Sequence, residues 1–320
     1  MTRKALLVGI DIYPDPRNNL NSCIADTLAF RSLLISRYGF QAAEITLLHN
    51  SSATLANVRA ALDDLVAGAE PGDTLVFFES SHGYRFPQGD TMVEVLCLYD
   101  GFLHDSELVD RAATLPPGVF TCVADACHAG GLNKLFFAPD GAQLIRAKVW
   151  QPSADDADRH AGESSQVTRF KFFGREATGD SAAVAKNLVT VPENLLRTKS
   201  NGAESVLNGA LFAACQADET AAAGSAATDN LSAFTYAVVR EVTGPIQLRT
   251  LAERVTARLQ AIGMRQTPRA LTPVGPPQLL DRGFITLQPV GGGVVPTPQP
   301  DPEEQFDPWE WLRDQLSGVL

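Results

Sequence analysis

Two side chains, each placed where an apolar run breaks off, are the best equipped in this chain for covalent chemistry. Cys127 lies in Asp125-Ala126-Cys127-His128-Ala129-Gly130-Gly131, directly after the run Val119–Ala124. His82 lies in Ser80-Ser81-His82-Gly83, directly after Thr74–Phe78. A thiol attacks a carbonyl carbon once its proton has gone, and an imidazole of pKa about 6.5 is suited to take that proton near neutral pH. Gly83 lets the backbone approach a substrate carbonyl, and the N–H groups of Gly83 and Cys127 could together hold a developing oxyanion. If the two runs are neighbouring parallel strands, both residues emerge at the carboxyl edge of a sheet, where open α/β folds place their ligands.

Other chemistry is poorly served. Cysteine is among the most buried residue types, so Cys127 could be inert, but a histidine and glycines in matching positions favour a nucleophile. A zinc site from Cys122, Cys127, His128 and His82 lacks the usual close cysteine spacing, and Cys122 should point into the sheet. His128, adjacent to the thiol on a tight turn, shapes the loop. Cys97 and Cys215 read as core or strand-end residues, and His49, His104 and His160 as exposed loop residues.

The elements that must carry these residues alternate. Lys4–Asp11 is a strand buried on both faces, Ser22–Tyr38 a helix stopped by Gly39, and Ile45–Leu48 a strand. Leu55, Val58, Leu62 and Leu65 repeat at helical spacing before Pro71-Gly72. Thr74–Phe78, Val93–Tyr99, a short helix at Ser106–Ala113 and the strand before Cys127 follow. Such alternation predicts an α/β fold with a mostly parallel central sheet and helices on both faces. The expected organisation is one domain over residues 1–289, with an insertion or long loop over about 138–203 that lacks sustained periodicity. A strand at Ser205–Ala214, helices at Ser232–Val242 and Leu248–Ile262, and a closing strand at Gly283–Leu287 complete it. Residues 290–308 read as a Gly/Pro-rich linker and 309–320 as a short amphipathic tail.

Composition narrows the partners. With 320 residues, 45% hydrophobic and 20% charged, the chain has a core to bury. A net charge of −11 without basic clusters argues against nucleic acid and is compatible with a cationic substrate. Five cysteines, an odd number, suggest free thiols in a reducing compartment. The apolar run from Ala5 to Ile10 is too short for a signal core or membrane span, so a cytoplasmic protein is expected.

Together these pieces resemble a caspase-fold cysteine peptidase, nearest the metacaspases and the bacterial caspase-like proteins called orthocaspases. The resemblance spans most of residues 4–288. It rests on Leu6–Ile10, Cys23-Ile24-Ala25-Asp26, Ser80-Ser81-His82-Gly83 and Asp125-Ala126-Cys127-His128-Ala129-Gly130. The upstream histidine, 45 residues before the cysteine, is close to the roughly 50-residue caspase spacing. Ser81 and Ala126 depart from the usual family strings and leave both catalytic positions intact. The resemblance implies a caspase-like fold and a Cys127–His82 dyad that works through a thioester.

Caspases carry Gln two residues before the cysteine, where this chain has Asp125. With Asp26 reaching the same pocket, two buried anions would favour Lys or Arg before the scissile bond. The resemblance implies the same preference, with Cys23 and Ser80 lining the pocket. Arg146, Lys148, Arg159, Arg169, Lys171, Arg175, Lys186, Arg197 and Lys199 in the insertion are then candidate self-cleavage points. No cofactor does the chemistry. Calcium, which many metacaspases need, is poorly supported: Ser106 stands for an aspartate in Leu103–Leu108, and Lys134 stands where an acid is expected. Asp218-Glu219-Thr220 is expected to position a loop. A further possibility is a zymogen that needs a trigger, such as calcium, a bound partner or cleavage within the insertion, and the resemblance suggests a role in stress, defence or programmed cell death. The alternative is a catalytically weak scaffold that recruits partners through its insertion or tail.

Overall fold

β1 (Arg3–Gly9) buries five consecutive residues, Ala5 to Gly9, as a strand covered on both faces must. In this computed structural model, which describes residues 1–88, 91–127, 135–137, 144–152, 188–192, 207–216, 219–274 and 279–286, β1 lies near one end of a seven-stranded sheet. The other members are β2 (Ile45–His49), β3 (Thr74–Ser80), β7 (Phe120–Asp125), β10 (Leu188–Pro192), β11 (Ala210–Ala213) and β12 (Arg269–Val274). Their order is β10-β12-β11-β7-β3-β1-β2. Only the β11–β12 pairing is antiparallel, so the expected mostly parallel sheet is present.

Side chains alternate across the sheet and divide the core in two. Leu7, Phe78 and Val123 face α1 (Cys23–Tyr38), α4 (Ala233–Glu241) and α5 (Leu248–Ala261). Leu6, Phe77 and Cys122 face α2 (Leu55–Val66) and α3 (Asp105–Ala112). Asp11 starts α1 by accepting from the Cys23 and Ile24 N–H groups at 2.8 and 3.1 Å, and Gly39, at φ 69°, ends it. The helix begins hard against the end of β1. A Cβ at Gly9 would lie 2.6 Å from the Cys23 carbonyl oxygen.

Several expectations need correction. The run at Gly283–Leu287 is no strand over its described part: Gly283 makes one bridge to Gln247, and Ile285 turns through φ 69°. Phe284 and Ile285 are apolar because they pack on the core, whereas the strand that pairs with β11 is β12, disguised by Pro273. The strand expected at Ser205–Ala214 is shorter, Ala210–Ala213. The 138–203 stretch is not without elements: β9 (Leu144–Arg146) pairs with β8 (Leu135–Phe137), and β10 adds an edge to the main sheet. His82 opens β4 (His82–Gln88), which joins β5 (Thr91–Cys97) and β6 (Phe102–His104) in a separate three-stranded sheet. His104 is buried at the start of α3, and His49 is half-buried, its Nε2 2.7 Å from Thr27 Oγ1, so neither is an exposed loop residue. The linker at 290–308, the tail at 309–320, His128, Lys134, His160 and Asp218 lie outside the described residues. Among the described residues no helix is long and apolar enough to cross a membrane.

Candidate active site

Parallel pairing of β3 with β7 sets the site. Ser80 stands opposite Asp125, so the chain leaves the two strands side by side and continues into His82 on one and Cys127 on the other. Gly83 approaches the Cys127 backbone so closely that a Cβ there would lie 2.1 Å from the Cys127 carbonyl oxygen. No side chain fits. His82 is held from behind: its Nε2 lies 2.7 Å from the Asn18 carbonyl, its backbone N–H donates to Tyr13 Oη, and its ring packs 5.4 Å from that of Tyr13. Donation from Nε2 to that carbonyl leaves Nδ1 as the lone-pair nitrogen, and among the described residues Nδ1 has no close hydrogen-bond partner, with only the Lys148 backbone adjoining the ring.

The alternation that puts Cys122 on the α2/α3 face puts Ser80 and Asp125 on the other, where Asp26 projects from the first turn of α1. Both carboxylates are fully buried and both meet the start of α4. Asp26 Oδ1 accepts from the Ser232 N–H at 2.8 Å, and Asp125 Oδ2 accepts from the Thr235 N–H at 3.2 Å and its hydroxyl at 2.6 Å. The positive end of a helix and several donors are what two close, dry anions require. Ser80 Oγ donates to Asp26 Oδ2 at 2.7 Å, and Cys23, buried at the head of α1, interacts with Ser80 and Lys148. The expected pocket set of Cys23, Asp26, Ser80 and Asp125 is thus gathered in one place.

The pocket is filled by the chain itself. Lys148, fully buried, places Nζ 2.9 Å from Asp125 Oδ1, 3.4 Å from Asp26 Oδ2, 2.8 Å from Ser80 Oγ and 2.9 Å from the Asp125 carbonyl. Burial alone would drive its ammonium toward neutrality, but Asp125 and Asp26 reverse that and hold the proton more tightly than usual. Burial raises Asp26 to about 6, against the pull of Lys148 and the two serines. The backbone follows the side chain. Lys148 N–H donates to Ala221 O at 3.1 Å, Ala223 N–H donates to Arg146 O at 2.9 Å, and Ala147 forms an antiparallel bridge with Ala222. This is how an extended peptide adds to a strand edge. The Lys148 carbonyl accepts the Gly83 N–H at 3.1 Å, the oxyanion donor expected from the sequence.

The Lys148 backbone also adjoins both the Cys127 thiol and the His82 imidazole. Under this cover burial pushes the thiol up to about 12 and the imidazole down to about 4, so the pair is neutral. Sequence reasoning had Lys148 only as one of nine basic residues, and it missed Tyr13, Asn18, Trp150, Ser232 and Thr235. Nothing in the local sequence sets Lys148 apart, since Arg146 stands only two residues before it.

The other expectations sort quickly. All five cysteines are free. Among the described residues no group of three His, Cys, Asp or Glu could hold a metal ion. In the Leu103–Leu108 segment the Glu107 carboxylate is gripped by Arg59 at 2.8 and 2.9 Å and approached by Arg111. Glu219 accepts from Gln216 N–H, Thr267 N–H and the Thr267 hydroxyl, which ties the loop after β11 to the segment before β12.

Comparison with known proteins bears on the family and the fold. A family model described as the caspase domain matches residues 2–273. Metacaspase-9 of Arabidopsis thaliana is 29% identical in an alignment that covers 83% of this chain and 92% of that protein. Metacaspase-4 of the same plant is 33% identical over 56% of this chain, which spans only 44% of its length. A crystal structure of a Geobacter sulfurreducens protein, 20% identical, shares the fold with a TM-score of 0.60 over 87% of this chain and 96% of that one. A caspase-domain match over most of the chain, joined to a cysteine and a histidine at paired strand ends, identifies the protein as a member of the caspase family, a metacaspase-like cysteine endopeptidase.

Proposed function

We propose that the protein cleaves polypeptides after Lys or Arg, with Cys127 as nucleophile and His82 as acid and base, and that its first substrate is its own Lys148–Val149 bond. One observation carries the reading: a lysine of this chain lies in the two-aspartate pocket with its carbonyl on the Gly83 N–H. Cys127 gives its proton to His82, and its sulfur attacks the Lys148 carbonyl carbon. The oxygen takes up the negative charge against the Gly83 and Cys127 N–H groups. The C–N bond breaks, His82 protonates the Val149 amine, and a thioester joins Cys127 to Lys148. Water, deprotonated by His82, then frees the Lys148 carboxylate and the thiol. Arg fits the same pocket because a guanidinium can meet both carboxylates at once.

Before that cut the cleft is occupied and the enzyme is a zymogen. The use of such a protease in stress, defence or programmed cell death is carried over from the family resemblance. The scaffold reading gains nothing from the described residues, since the tail and most of the insertion lie outside them.

Intact-mass analysis of wild-type protein and Cys127→Ala, with Arg-, Lys- and Asp-ended fluorogenic peptides in parallel, tests the proposal. The expected result is a pair of fragments, 1–148 and 149–320, from wild type alone, followed by release from Arg and Lys peptides. An absence of Cys127-dependent release from every peptide overturns the protease reading, and release after Asp alone overturns the pocket.

A further inference from the structure

The segment that fills the cleft does not stop at the scissile bond. Past Lys148, Val149 bridges Gly83 in parallel fashion, and the Trp150 N–H donates to the Gly83 carbonyl at 3.2 Å. Trp150 then turns its indole into an aromatic nest, with ring centroids 5.2 Å from Tyr13, 6.0 Å from His82 and 5.8 Å from Phe102, each near edge-to-face. One residue further on, Asn18 grips Gln151 by both backbone polar groups. Its Oδ1 accepts the Gln151 N–H at 2.8 Å, and its Nδ2 donates to the Gln151 carbonyl at 3.2 Å. Asn18 is 1% exposed.

We infer that the cleft continues beyond the scissile bond as a specificity site, in which Tyr13, His82 and Phe102 take an aromatic side chain two residues past the bond and Asn18 clamps the backbone one residue later. This inference rests on the proteolytic reading and names its substrate class: a basic residue, the cut, any compatible residue, then an aromatic one. Two features separate the nest from ordinary packing. The Asn18 side chain spends its donor and its acceptor on a single residue's backbone, which is recognition independent of that residue's side chain. The groups that bind this side of the substrate also hold the base, because the Asn18 carbonyl takes His82 Nε2 and Tyr13 Oη takes the His82 N–H. Filling the nest and aligning the imidazole are therefore coupled, and the preference should show in kcat as well as in KM.

The test uses processed full-length enzyme and internally quenched peptides that share one Lys-ended half followed by Val-Xaa-Gln, with Trp, Phe, Ala or Asp at Xaa. A Lys-aminocoumarin amide serves as a substrate that lacks this half. Edge-to-face ring contacts predict that Trp and Phe exceed Ala by roughly tenfold in kcat/KM. Phe102→Ala should bring the Trp-to-Ala ratio close to one, a comparison internal to each enzyme preparation. Wild-type cleavage of the Trp and Ala peptides within about twofold of each other overturns the aromatic site while leaving the protease reading standing. A failure to cut any peptide or the coumarin amide in a Cys127-dependent way overturns both.

Discussion

The ammonium of Lys148 lies 2.9 Å from Asp125 Oδ1, and both side chains are entirely removed from solvent. A pair this dry is held by its surroundings, and loss of one partner strands the other charge. Lys148→Arg should still be cut after residue 148, whereas Lys148→Met should not, with the rate of appearance of the 1–148 fragment falling at least ~100-fold. Time-resolved gels read this directly, and release of the same fragment from Lys148→Met at near wild-type rate would contradict it.

Cover over the cleft should limit thiol chemistry. Burial holds Cys127 up at about 12 and His82 down at about 4 while Lys148 is in place, so little thiolate exists at neutral pH. If the segment is cut and displaced as proposed, water should return and both groups should move back toward their ordinary values. Alkylation of Cys127 by iodoacetamide at pH 7.5, followed by mass spectrometry, should be roughly tenfold or more faster in processed protein than in the Lys148→Met form. Equal rates would show that cover does not limit the thiol.

Glu79 offers a stability measurement away from the reaction. It is wholly buried beside Cys122, and among the described residues only the Ser81 hydroxyl, which also donates to the His82 carbonyl at 2.9 Å, and the Lys148 ammonium act against that burial. Burial raises it from 4.5 to about 8. The folded chain therefore keeps a proton that the unfolded chain has lost, and stability falls as pH rises from about 4.5 to about 8, then levels. In a Cys127→Ala background, Glu79→Gln should flatten this fall, and the gap between the two proteins should grow by up to several kcal/mol across the window. Urea melts at pH 5, 7 and 9 supply the check, with parallel curves for the two proteins as the contrary result.

Gly83 is a steric prediction. A methyl group there would sit 2.1 Å from the Cys127 carbonyl oxygen, so Gly83→Ala must push the two loops apart and carry the oxyanion donor with them. Self-processing and peptide hydrolysis should fall by about 10²–10³-fold. Retention of wild-type kcat would remove Gly83 from the oxyanion site.

Calcium should matter little. Arg59 and Arg111 already occupy the Glu107 carboxylate, so millimolar calcium and a chelator should give self-processing rates within about twofold of each other. A rate that depends steeply on calcium would place an ion site elsewhere in the chain.

Much of this was readable in the residues because it depends on local pattern. Buried strands announce themselves as apolar runs, so β1, β3 and β7 were placed, and with them the side-by-side exits of His82 and Cys127. Asp26 and Asp125 could be paired from resemblance and charge. β12 was hidden because Pro273 interrupts its pattern, and Phe284-Ile285 imitated a strand because core packing selects the same residue types without a ladder. Lys148 was out of reach for another reason. Which of nine basic residues returns to the pocket is decided by chain reach and by the Arg146–Ala223 and Lys148–Ala221 hydrogen bonds, which no local signal encodes.

Strands β11 and β7 lie side by side through four residue pairs, Ala210 to Ala213 against Thr121 to Ala124. They belong to opposite sides of the Lys148–Val149 bond. A cut there leaves β10, β11, β12, α4 and α5 on one polypeptide and the Cys127 and His82 loops on another, with one sheet and one core shared between them. If the proposed cut is made, the product is a two-chain complex whose unfolding is also a dissociation. Its melting temperature should rise with protein concentration, while that of the uncut form stays fixed.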